Sequence, residues 1–161
     1  MEAKWQDKSE RAQRKEREAR RQGEEARRRA EEVARTEKRR VREAWAVYED
    51  RWRALRSPES RPSKQNLTFA SIPWPVFAPP RSAADITAGA VEKFILSPAH
   101  SEGVARRDRI RDALRRWHPD NLGSIALRKR LEMEKRAVED AVGAVARCLN
   151  ELLTSEESKV Q

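Results

Sequence analysis

The 161-residue chain has one cysteine, two histidines and five glycines. With Cys148 alone no disulfide can close within the chain, and with His100 and His118 no Cys/His zinc set can be assembled. There is no glycine-rich phosphate loop and no hydrophobic run long enough to cross a bilayer. The first apolar stretch lies far from the N-terminus, unlike a secretory leader. Aromatic residues make up 6% of the chain, so little of it can build a core. These absences lead to the expectation of a soluble, intracellular protein in a reducing compartment, with no metal, no cofactor and no membrane segment. Cys148 falls on an apolar helical stripe, where a buried thiol is expected.

What the chain has is charge. Charged residues are 39% of it and the net charge is +9, which favours an acidic partner. Residues 1–56 carry 19 basic and 13 acidic side chains (+6), residues 57–81 are +2 and residues 82–161 are +1. The basic excess therefore belongs mostly to the N-terminal part.

Residues 2–56 contain no proline and a single glycine, Gly23, among helix-forming Glu, Arg, Lys and Ala. Acid-to-base pairs four residues apart recur: Asp7–Arg11, Glu10–Arg14, Glu16–Arg20, Glu24–Arg28, Glu25–Arg29, Glu31–Arg35 and Glu49–Arg53. Each contributes about 0.2–0.5 kcal/mol, and together they can hold a helix that packs on nothing. Trp5, Ala12, Ala19, Ala26 and Val33 repeat every seven residues, but the companion positions Lys8, Lys15, Gln22, Arg29 and Thr36 make a poor coiled-coil seam. Residues 1–39 thus read as a solvated helical arm, with a weak coiled coil or a disordered arm as alternatives. From Val41 the pattern changes. Val41, Trp45, Tyr48, Trp52 and Leu55 form an apolar stripe, so residues 40–56 are expected to dock, either on the following domain or on another protein.

Residues 57–81 hold six of the eight prolines, and residues 57–84 read as an extended strap anchored by Trp74. A proline-rich ligand for an aromatic groove is the lesser reading. Residues 85–155 follow as a small three-helix domain, and 156–161 as a tail. Its first helix carries Ile86, Ala90, Val91, Phe94 and Ile95, with Asp85 as expected N-cap. The second runs from about Val104 to Trp117 and is crowded with arginines. The third starts behind a Ser124 cap and buries Leu127, Leu131, Val138, Val142, Val145, Leu149 and Leu152 over about 30 residues. The fold class is all-α: a long charged helix, a proline-rich strap and a helical domain built on an antiparallel hairpin.

Between the second and third helices stands "LRRWHPDN". Pro119 disfavours helix at His118, so His118 and Asp120 are expected at an exposed turn beside Arg111, Arg115 and Arg116. The layout "IRDALRRWHPDN" resembles the J domain of co-chaperones of the 70-kDa heat-shock chaperones, in which a basic helix leads into His-Pro-Asp and a third helix packs back. That resemblance implies His118, Pro119 and Asp120 as a trigger for a chaperone ATPase, with Arg111, Arg115 and Arg116 as electrostatic contacts. Over more of the chain, "YEDRWRAL", "LTFASIPWPVF", "RRWHPD" and "AVARCLNELL" are similar, in order and spacing, to the C-terminal half of the NF-kappa-B inhibitor-like protein 1 family. This implies a nuclear regulatory protein tied to restraint of NF-kappa-B signalling and to RNA processing, with a J-like domain. The cytoplasm is the other expected compartment. The expected partners are proteins, either a 70-kDa chaperone or a nuclear ribonucleoprotein assembly, with weak nonspecific nucleic-acid contact through the arm. Trp45, Trp52, Trp74 and Trp117 are expected to dock and hold the domain. His118 and Asp120 have no nucleophile near them in sequence, so no enzymatic activity is expected.

Overall fold

The structure, a computed structural model, describes residues 2–57, 68–121 and 134–159. All regular structure among them is helical: α1 (Glu2–Arg56), α2 (Ala88–Ile95), α3 (Arg106–Arg116) and α4 (Lys135–Ser158), with short 3-10 turns at Phe69–Ser71 and Ala83–Asp85. The chain divides into two compact units, Met1–Arg40 and Val41–Gln161.

In the first unit every described side chain is exposed, as a helix without an apolar face requires. Ion pairs one turn apart line it: Arg20–Glu24, Arg27–Glu31, Glu25–Arg29 and Glu37–Arg40. Of the pairs expected from sequence, Glu25–Arg29 is among these. Glu24 and Glu31 instead turn toward the arginine one turn before them, because each acid has a base on both sides at that spacing.

The second unit contains the core. Val41, Tyr48, Trp52 and Leu55 are buried along the last four turns of α1, at the spacing of a one-sided stripe. The strap is more structured than extended chain. The Trp74 N–H donates to the Ile72 carbonyl and the Val76 N–H to the Trp74 carbonyl, closing tight turns around Pro73 and Pro75. Proline has the fixed φ that such three-residue turns need and no N–H to lose. Trp74 is buried by this path and donates its indole N–H to the Phe69 carbonyl at 2.9 Å.

Three element boundaries differ from expectation. The cap of α2 is Thr87, whose hydroxyl accepts from the Ala90 N–H at 3.2 Å; Asp85 accepts instead from the Arg81 and Ser82 amides. α3 starts at Arg106, because residues 101–104 form a turn in which Ser101 and Gly103 both adopt positive φ. α4 is 24 residues long and starts at Lys135. Glu134 stays outside the helix, and its carboxylate accepts from the Phe69 N–H, fastening the strap. The expected Ser124 cap and the Leu127 and Leu131 positions lie outside the described residues. Val138, Val142, Val145, Leu149 and Leu152 are buried against α2 and α3, as is Cys148, whose thiol burial shifts upward in pKa.

Candidate functional site

The His-Pro-Asp turn is built on a tryptophan. α3 ends when the Trp117 N–H donates to the Ala113 carbonyl at 2.9 Å, and Pro119 keeps His118 out of the helix. The Trp117 side chain is fully buried. It stacks on Trp74 at 5.3 Å, meets Trp52 edge-on at 5.0 Å, and donates its indole N–H to the Tyr48 hydroxyl at 3.1 Å. Three of the elements that build the core, α1, the strap and α3, thus meet under this turn. A new helical turn opens at once over residues 119–121. Asn121 bridges the two segments, its backbone N–H donating to the His118 carbonyl and its side-chain amide to the Arg115 carbonyl. An unsatisfied carbonyl at the end of α3 is thereby capped.

His118 and Asp120 stand at the surface, with side chains 59% and 91% exposed. Their own contacts are local: the His118 Nδ1 lies 3.3 Å from the Asp120 N–H and 3.5 Å from its carboxylate. A neutral ring accepts the amide at Nδ1, and a protonated ring donates to the carboxylate instead. Among the described residues neither ring nitrogen touches a nucleophile. Among the described residues no cluster of three or more His, Cys, Asp or Glu is placed to hold a metal ion.

The three arginines expected beside the turn are not equivalent. Arg116 is drawn inward. Its guanidinium bonds both oxygens of Glu49, at 2.7 and 3.1 Å, and lies over the rings of Tyr48 and Trp52. Burial works against its charge, and the Glu49 and Tyr48 interactions more than offset this, raising its pKa. It joins α3 to α1, and its side chain is only 23% exposed. Arg111 is half exposed and 4.0 Å from Glu157; Arg115 is mostly exposed and pairs with Asp112 on its own helix. The N-terminal part of the same helix is also neutralised, with Arg107 on Glu157 and Arg106 on Glu92 and Glu156.

Trp45 brings in a histidine that sequence reasoning left without a role. His100 is buried and lies flat on Trp45, with ring centroids 3.8 Å apart and planes within 8°. Its Nε2 must carry the proton, since its partner at 2.7 Å is the Phe94 carbonyl. Nδ1 then accepts, from the Ser101 hydroxyl at 2.9 Å and the Arg109 Nη2 at 3.2 Å. Burial lowers the pKa of His100, the Phe94 bond opposes this, and Arg109 lowers it further. The one sequence signal was its place shortly after the apolar run Phe94-Ile95-Leu96, too common to single it out.

No family model, no curated protein and no solved structure matches the chain.

Proposed function

We propose that the chain is a non-enzymatic interaction protein whose folded unit presents the His118-Pro119-Asp120 turn to a protein partner. The observation that supports this is the contrast within the turn: a fully buried Trp117 followed directly by two exposed polar side chains. Residues on a surface turn make few packing contacts, so such polarity is not needed by the core. The resemblance to the NF-kappa-B inhibitor-like family adds a nuclear, regulatory setting to this reading, with negative regulation of NF-kappa-B signalling as its expected outcome. A reporter assay with wild type and a His118→Gln, Asp120→Asn variant tests it. Repression by the wild type that the variant loses supports the reading, and no repression by the wild type removes the signalling role.

The second reading is a co-chaperone. It is favoured by the exposure of His118 and Asp120 at the end of a basic helix on which Arg111 and Arg115, four residues apart, are also exposed. It is weakened by Arg116, which is occupied by Glu49. Purified protein added to a 70-kDa chaperone should then stimulate ATP hydrolysis, and His118→Gln should abolish the effect without unfolding the domain. A wild type that stimulates nothing rejects this role.

A further inference from the structure

The arginines of the N-terminal unit fall into two sets. Arg20, Arg27, Arg29 and Arg40 are held by glutamates one turn away. Arg14, Arg17, Arg21, Arg28 and Arg35 are exposed and make no ion pair with any described residue. At about 100° per residue these five fall within a sector of about 60°, so they form one row along the helix. Glu32 is the one acidic residue in that sector between them. From Arg14 to Arg35 the row is about 32 Å long at about 1.5 Å per residue.

A row of this kind suits few partners. A protein interface needs an apolar centre with aromatic or aliphatic anchors, and no apolar residue falls within the arginine sector. A membrane-surface helix needs a broad apolar face for insertion. The face opposite the arginines has only Trp5 and Val33 as large apolar residues, separated by alanines at positions 12, 19 and 26. A phosphodiester backbone requires neither. It is a continuous line of charge that guanidinium groups recognise by paired N–H donors, with no contribution from bases.

We propose that the Arg14–Arg35 row of α1 is a phosphate track that binds duplex nucleic acid without sequence preference. The unit has 15 basic and 10 acidic residues over positions 1–40, so attraction to a polyanion is not cancelled by the acids that build the helix. Four of those acids, Glu24, Glu25, Glu31 and Glu37, occupy other arginines, and Glu32 alone offsets charge on this face between Arg14 and Arg35. The proposal is independent of the His-Pro-Asp turn, which lies in the other unit.

Full-length protein is titrated onto random-sequence RNA and DNA duplexes of about 30 base pairs, followed by fluorescence anisotropy at several salt concentrations. Two variants each remove four charges. One carries Arg17→Gln, Arg21→Gln, Arg28→Gln and Arg35→Gln; the other carries Arg20→Gln, Arg27→Gln, Arg29→Gln and Arg40→Gln. The first is expected to lose at least about tenfold in affinity, and its slope of log K against log salt should fall by about 3–4. The second should stay within about threefold. A preference for one duplex names the nucleic acid. Equal losses in the two variants, no binding by the wild type, or equal affinity for polyglutamate or anionic vesicles would overturn the proposal. Replacing the same four row arginines by lysine keeps both charge and helix propensity, and guards against a trivial loss of structure. That variant should bind within about threefold of wild type, and a loss as large as that of the glutamine variant counts against a charge-read track.

Discussion

Arg116 and Glu49 join α3 to α1 through two parallel N–H···O bonds, and both side chains are half-buried, at 23% and 33% exposure. Removing one partner leaves the other charge among Tyr48 and Trp52 without compensation. Arg116→Ala or Glu49→Ala is therefore expected to cost about 2–3 kcal/mol, below the value for a fully buried pair because water still reaches both groups. The double variant should cost less than the sum of the two single changes. Chemical denaturation of the four proteins checks this, and strict additivity would show that the pair is not coupled.

Trp117, Trp52 and Trp74 form one aromatic cluster contributed by α3, α1 and the strap. Each Trp→Ala change should destabilise the second unit by about 3–5 kcal/mol. A fragment spanning 82–161 lacks two of the three rings, so it should melt well below a 40–161 fragment. Equal melting temperatures would mean that α3 and α4 need neither α1 nor the strap.

That cluster was legible in the sequence because each of its parts is periodic or unusual. The Val41–Leu55 stripe repeats at helical spacing, and two prolines flank Trp74. The pairing of charges was not legible. Glu49 has Arg53 four residues on, yet it bonds Arg116, and Arg53 pairs with Asp50. In a chain so rich in charge every acid has several bases within reach, and tertiary proximity decides among them. The same holds for the cap of α2. Asp85 and Thr87 are both good caps, and the choice depends on the Ala83–Asp85 turn that uses Asp85 first. The His-Pro-Asp turn was placed by the effect of Pro119 on the preceding residue, but the inward course of Arg116 depends on the course of α1.

His100 should make the second unit acid-sensitive. Its pKa is lowered in the fold by burial and by Arg109, with Glu49 acting weakly in the other direction. The unfolded chain then binds a proton more readily than the folded one at mildly acid pH, so stability falls as pH drops below about 6.5. A protonated ring would also turn Nδ1–H toward the Arg109 guanidinium and lose its acceptor role for Ser101. Denaturation midpoints of wild type should fall between about pH 7 and pH 5. His100→Gln keeps a polar amide in place of the ring and should flatten that dependence, even if the variant is less stable throughout. An unchanged slope would assign the acid sensitivity to other groups.

The described side chains of the N-terminal unit are exposed and carry ion pairs one turn apart, which makes its response to salt and to glycine replacement specific. A peptide of residues 1–38 contains Arg20–Glu24, Glu25–Arg29 and Arg27–Glu31, all one turn apart and all exposed. Such pairs add about 0.2–0.5 kcal/mol each and are screened by salt, so helical circular dichroism should be substantial at low ionic strength and fall as salt rises. Gly23 sits in the middle of this helix with nothing within 4 Å of where a Cβ would stand. Gly23→Ala therefore meets no steric cost and removes a residue about 0.8–1.0 kcal/mol less favourable than alanine in a helix. The variant peptide should be more helical than wild type and should keep more of its helix at high salt, because intrinsic propensity is not screened. A random-coil spectrum for the wild-type peptide at neutral pH and low salt would mean that the ion pairs are too weak to hold the unit. In that case Gly23→Ala alone should not restore the helix.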